Sequence, residues 1–110
     1  MHELSITQSL VDTVSERVGD RHVERVTLVI GRLSGVVADS VQFCFELCTS
    51  GTPLDGAVLD IVEPPGEGRC RSCGAEVGLA DFLSLCPCGS ADIEVTSGQQ
   101  LTIREVEVAA

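Results

Sequence analysis

Four cysteines in two close pairs constrain this chain more than any other feature. The pairs span 70–73 (Cys-Arg-Ser-Cys) and 86–88 (Cys-Pro-Cys), and twelve residues separate them. A structural zinc ion prefers four ligands in a tetrahedron, with thiolates at about 2.3 Å. Gly74 and Gly89 follow the pairs, and glycine permits the left-handed turn that wraps around a bound metal. The spacing predicts a zinc ribbon in which one ion is held by structural, not redox-active, thiols: Cys70, Cys73, Cys86 and Cys88.

Composition limits the classes of partner. The 110 residues carry a formal net charge of −10, which repels nucleic-acid phosphates, so no nucleic acid is expected. The amino-terminal residues lack the basic and apolar regions of a signal peptide, and no apolar run reaches the length of a membrane span. We therefore expect a cytoplasmic protein without a membrane partner. Its six cysteines then indicate metal ligands and buried residues instead of disulfides.

Hydrophobic periodicity outside the cysteine module predicts helices at 3–18 and 40–49 and strands at 23–31, 57–63 and 100–108. The expected fold class is α+β, a small three-stranded sheet with two helices and an inserted zinc-ribbon module. Residues 1–64 and 99–110 would form the α/β domain, and 65–98 the zinc-binding domain.

Several local features lead to finer expectations. Asp39, with Gln42 three residues later, suggests the N-cap of the second helix. That helix is apolar nearly all round, so we expect it to be well buried, with Cys44 and Cys48 acting as small hydrophobic residues. The stretch 64–68 (Pro-Pro-Gly-Glu-Gly) should end any sheet.

Several motifs in the same order are similar to those of the hydrogenase nickel-incorporation family HypA/HybF. They are 1–5 (Met-His-Glu-Leu-Ser), 30–31 (Ile-Gly), 43–46 (Phe-Cys-Phe-Glu), 86–90 (Cys-Pro-Cys-Gly-Ser) and 101–107 (Leu-Thr-Ile-Arg-Glu-Val-Glu). The likeness covers the whole chain. It implies a nickel metallochaperone for [NiFe]-hydrogenase maturation, with structural Zn(II) in the ribbon and Ni(II) as transient cargo. It also implies two partners, the nickel-delivering GTPase HypB and the hydrogenase large subunit.

The resemblance places nickel at Met1, His2 and Glu3, and the chemistry of these residues agrees. The Met1 amine, the His2 amide nitrogen and the His2 imidazole can form adjoining chelate rings, and nitrogen-rich tetragonal sites favour Ni(II) or Cu(II). Glu3 adds an amide nitrogen or a carboxylate. The first amides of a helix have no intrahelical partner, so binding need not break the helix. A helix N-terminus disfavours a cation, so the site needs anionic help.

One departure from the family pattern concerns the second cysteine pair. The family usually has Cys-Pro-x-Cys, whereas 86–88 is one residue shorter. Backbone N–H groups in the longer spacer hydrogen-bond to the first thiolate and tune the site. We expect the short pair to lose at least one such bond.

Other functions remain as alternatives. A zinc-ribbon adaptor or regulatory protein without nickel would be expected to carry a basic ribbon, yet 67–98 holds two arginines against five acidic residues. A rubredoxin-like iron carrier would be expected to pack aromatic residues around its metal, and only Phe82 is available. An enzyme is not expected, because no nucleophile–base pair or phosphate loop is recognisable and a four-thiolate site has no open position. The sequence leaves open whether the protein forms a homodimer.

Overall fold

The computed structural model describes residues 2–110; Met1, one of the predicted nickel ligands, lies outside them. Over these residues the chain forms two helices and six strands. The helices are α1 (His2–Val18) and α2 (Ala38–Cys48), and the strands are β1 (Val23–Ile30), β2 (Val58–Val62), β3 (Gly66–Cys70), β4 (Glu76–Leu79), β5 (Ile93–Ser97) and β6 (Leu101–Val108). No helix in this described stretch is long and apolar enough to cross a bilayer.

The first sheet has the strand order β2-β1-β6, and it forms an α+β arrangement with the two helices. Arg25 on the central strand pairs with Asp60 on one neighbour and, at 3.1 Å, with Glu107 on the other. The helices pack on each other. Apolar residues of both helices, of β1 and β2 and of the connection before β2 are buried in the core: Leu10, Val11, Val14, Val18, Val23, Val26, Leu28, Val41, Phe45, Leu54 and Leu59. The predicted fold class is confirmed.

The second sheet has the order β4-β3-β5, with β3 antiparallel to both neighbours. The stretch 64–68 separates the two sheets, since β2 ends at Val62 and β3 belongs to the second sheet, but its last three residues are themselves strand because β3 begins at Gly66. Glycine is what allows this pairing. A methyl group on Gly68 would lie 2.6 Å from the Ile93 side chain and 2.7 Å from the Glu94 carbonyl oxygen, while one on Gly66 would overlap Leu33.

The chain packs into two compact units, one of residues 2–28, 36–61 and 102–110 and the other of 29–35 and 62–101. Backbone bonds tie the short stretch 29–35 into the second unit: the Gly31 N–H donates to the Gln100 carbonyl (2.8 Å) and the Leu33 N–H to that of Gly98 (2.7 Å). The predicted domain ranges place this stretch in the first domain, because such long-range pairing cannot be read from neighbouring residues. The predicted domain ranges stay a prediction.

Two expectations about α2 are wrong. Its N-cap is Val37, without a side-chain cap, and Asp39 lies inside the first turn. Gln42 donates to the Leu59 carbonyl (3.2 Å) and so does not complete a capping box. The helix is also not buried all round, because Val41 and Phe45 face the core whereas Phe43 and Leu47 are largely exposed.

Candidate metal centre

The structure brings together the four cysteines of the two pairs. The Sγ atoms of Cys70, Cys73, Cys86 and Cys88 all lie within 4.8 Å of one another. Two contacts join the pairs, Cys70 Sγ to Cys88 Sγ at 3.7 Å and Cys73 Sγ to Cys86 Sγ at 3.6 Å. A tetrahedron with metal–sulfur distances of about 2.3 Å has edges of about 3.8 Å. The donor set therefore fits a tetrahedral zinc ion.

A backbone hydrogen bond from the glycine that follows closes the turn of each pair, over four residues in the first pair and over three in the second. The Gly74 N–H donates to the Cys70 carbonyl and the Gly89 N–H to the Cys86 carbonyl, both at 2.8 Å. Both glycines have positive φ, 77° and 94°, a conformation that other residues rarely adopt. The first turn follows β3 directly, and the second lies in the connection between β4 and β5.

Side chains and backbone also join the two turns to each other. The hydroxyl groups of Ser72 and Ser90 lie 2.9 Å apart. The Arg71 N–H donates to the Asp92 carbonyl (2.9 Å), and the Arg71 guanidinium pairs with the Asp92 carboxylate at the same distance. These bonds join the two turns through residues next to the cysteines.

The negative charges of the cysteine thiolates favour a bound cation at the cluster. The Cys73 backbone N–H is the main cause that lowers the pKa of Cys70 to about 6, with the Ser72 N–H and two neighbouring thiols adding to it against burial. The Cys88 N–H favours the Cys86 thiolate, but burial and the neighbouring thiols outweigh it and raise the pKa of Cys86 to about 12. Four thiolates this close repel one another, so full ionisation requires a bound positive charge.

The two turns differ in the amide hydrogens they offer. Both Ser72 and Cys73 direct backbone N–H groups at the Cys70 thiol. In the shorter pair the Cys88 N–H reaches the Cys86 thiol, and Pro87 has no N–H to give. This agrees with the expectation that the shortened spacer forfeits a bond to sulfur.

The cluster is part of a core. Cys70 and Cys86 are buried, with 0% and 4% of their surface exposed, and they pack with Leu33, Val77 and Leu79. Cys73 and Cys88 are exposed. With so few apolar residues in this core, an ion that ties its two buried thiols together would supply much of the unit's stability.

The other two cysteines lie on α2, outside the cluster. Cys44 and Cys48 are half-buried, and burial is the main cause that raises the pKa of Cys48. The four-cysteine cluster is the only group of three or more potential ligands found among residues 2–110. The expectation of buried α2 cysteines is thus met only in part.

The predicted nickel residues lie at the start of α1. His2 is exposed, and Glu3 is half-buried. The Glu3 carboxylate accepts a hydrogen bond from the Val37 N–H at 3.2 Å, and this bond is the main cause that lowers the pKa of Glu3. Glu3 also lines a groove with Asp39. An anionic carboxylate is therefore present beside His2, whereas Met1 lies outside the described residues.

Comparison with known proteins identifies relatives over nearly the whole chain. A family model described as hydrogenase/urease nickel incorporation, metallochaperone, hypA matches residues 1–108. A protein of Nostoc sp. named hydrogenase maturation factor HypA is 50% identical over 108 residues, covering 98% of this chain and 96% of the relative. The protein of that name from Geobacter metallireducens is 50% identical over 109 residues, covering 98% and 99%.

Two solved structures share the fold. The solution structure of the Ni metallochaperone HypA from Helicobacter pylori superposes with a TM-score of 0.62 at 23% identity, covering 98% of this chain and 97% of that one. A second solution structure, of a HypA protein, gives a TM-score of 0.64 at 24% identity, covering 99% and 97%. At these identities the likeness is one of fold.

Proposed function

Because the chain belongs to the HypA family of hydrogenase and urease nickel-incorporation metallochaperones, we propose that it binds Ni(II) at its amino-terminal end and delivers it during maturation of [NiFe]-hydrogenase. The family match over residues 1–108 is the observation that carries this proposal. Urease, which the family description also names, is a second candidate recipient.

The proposed nickel ligands are Met1, His2 and Glu3. An imidazole and amide nitrogens suit Ni(II), and the exposed His2 can meet an ion or a recipient without opening a core. The Glu3 carboxylate, whose lowered pKa keeps it anionic, offsets the positive end of the α1 dipole. Because this carboxylate already accepts the Val37 N–H, the Glu3 amide nitrogen is the easier donor.

The proposed resident ion is Zn(II), held by Cys70, Cys73, Cys86 and Cys88. The sulfur spacing and the need to balance several thiolates support it. Zinc closes the ribbon and has no open position for substrate. We assign the protein no reaction of its own, since nickel is its cargo.

The proposed setting is the cytoplasm, where the thiols stay reduced. The proposed partners are the nickel-delivering GTPase HypB, as the source of the ion, and the hydrogenase large subunit, as its destination. The family's role in hydrogenase maturation supports both assignments.

Calorimetric titration of zinc-loaded protein with Ni(II) tests the site. Wild type should bind one nickel ion per chain. His2→Ala should weaken binding at least about 100-fold, because an imidazole ligand is lost, while zinc content stays unchanged. His22→Ala is the matched control, since His22 is the other histidine and is also exposed; it should bind nickel like wild type.

Tagged forms test the Met1 amine. An amino-terminal tag should impair nickel binding, and a tag after Ala110 should not. If His2→Ala binds nickel as well as wild type, the site lies elsewhere. If wild type binds zinc but no nickel, the nickel proposal is wrong and the alternative of a zinc-ribbon adaptor is favoured.

A further inference from the structure

Three large apolar side chains of α1 and α2 are largely exposed. Phe43 and Leu47, one turn apart on α2, are 64% and 61% exposed, and Leu4 on α1 is 51% exposed. We call these three residues the α2 patch. Leu4 and Phe43 line one groove of about 390 Å³, together with Glu3, Asp39, Ser40 and Cys44. The shared groove distinguishes Leu4 and Phe43 from scattered surface hydrophobic residues.

Among the described residues, the α2 patch lies outside the buried core. The core-facing side of α2 is supplied by Val41 and Phe45, which are buried. Leu4 continues the stripe of Thr7 and Val11 along α1, but unlike them it is left uncovered. The patch therefore has apolar surface available for a partner.

Charge indicates what that partner is. Glu3 and Asp39 line the groove. The chain has no lysine, and no arginine lies between Arg32 and Arg69 or before Arg17. The charged residues of α2 itself are Asp39 and Glu46, and both are acidic.

This charge distribution disfavours a second copy of the chain as occupant. A twofold contact through the patch would bring acidic residues against acidic residues, in a protein of net charge −10. A segment with apolar side chains flanked by lysine or arginine would bury Phe43 and Leu47. Its cationic groups would at the same time face the acidic residues that line the groove.

We propose that the α2 patch is a docking surface for an amphipathic, basic protein segment. Its apolar side chains occupy the groove beside Leu4 and Phe43, and its cationic groups face Glu3 and Asp39. The inference goes beyond the proposed function and does not require nickel. Since Glu3 belongs both to the groove and to the proposed nickel ligands, such docking would bring a partner directly beside the cargo.

A synthetic helical peptide of leucine and lysine, fluorescently labelled, serves as the probe. Zinc-loaded, nickel-free protein should bind it with 1:1 saturation, and added salt should weaken binding because the charges are exposed. Phe43→Gln and Leu47→Gln should each weaken binding at least tenfold. Phe82→Gln is the matched control: Phe82 is 62% exposed, in the connection between β4 and β5, and its loss should leave binding unchanged.

Three results would overturn the proposal. If the peptide does not bind, the α2 patch is not a docking surface for a basic segment. If Phe43→Gln binds the peptide as tightly as wild type does, the binding reflects only general attraction between opposite charges. If sedimentation shows that wild type is a dimer and that Phe43→Gln is not, the occupant of the patch is a second copy of the chain. Circular dichroism of each variant should match wild type, since the substituted side chains are exposed. Nickel affinity is measured separately, so failure here leaves the nickel proposal standing.

Discussion

The cysteine cluster and the start of α1 offer a metal two different settings. Cys70 and Cys86 lie in the core of the second unit, each with three other thiols close by. His2 is exposed on the first turn of a helix, and Glu3 is tied to the fold through the Val37 N–H. An ion held by these two buried thiolates and the exposed Cys73 and Cys88 is anchored in that core, whereas an ion on an exposed helix end can pass to another protein. The contrast supports a resident ion in one place and a transferable ion in the other.

The largest effect should come from emptying the cysteine cluster. Cys70→Ser should abolish zinc binding and disorder residues 66–97, because the core of the second unit contains its own metal ligands. The first unit, with its separate core, should keep its helices. Elemental analysis and residue-resolved amide hydrogen exchange measure the two effects.

Cys44→Ala is the control for that experiment. Cys44 is a half-buried cysteine outside the cluster, so this variant should retain zinc and the exchange protection of 66–97. A Cys70→Ser protein with full zinc content, or a wild type without zinc, would contradict a resident ion.

A smaller effect should come from the backbone that supports the second unit. A methyl group on Gly31 would overlap the Gly98 carbonyl, and Gly98 itself adopts φ 107° against Gly66. Gly31→Ala should therefore lower the free energy of unfolding by about 3 kcal/mol, the upper range for overpacking. Urea denaturation, followed by signals of the second unit, measures it.

Gly78→Ala is the matched control. A methyl group there has nothing within 4 Å and no unusual φ, so stability should change by less than about 0.5 kcal/mol. If the two alanine variants are equally stable, the close approach of the Gly31 and Gly98 backbones is not real.

The smallest effect should come from the start of α1. Glu3→Gln keeps an oxygen that can accept the Val37 N–H but removes the charge. The midpoint of thermal unfolding should shift by less than about 4 °C, with zinc content unchanged. If Glu3→Gln lost as much structure as Cys70→Ser, the start of α1 and the cysteine cluster would not differ in the way described.

The sequence by itself determined what depends on local spacing. The four cysteines and their flanking glycines identify the metal cluster, because the ligands lie in short turns. Period-3.6 and alternating patterns locate both helices and the three strands of the first sheet, since each apolar stripe reports the face that must be buried. Family motifs from 1–5 to 101–107 identify the relatives.

Only the tertiary structure decided what depends on surfaces far apart in the chain. Gly66 and Gly68 looked like a break, yet they pair as strand. Glycine is required there because the side chains of Leu33 and Ile93 leave no room for a Cβ atom. Phe43 and Leu47 looked like core, yet both are largely exposed in the structure of residues 2–110. Composition shows that a residue is apolar, but whether it is buried depends on a second surface, and that surface is supplied by residues distant in sequence.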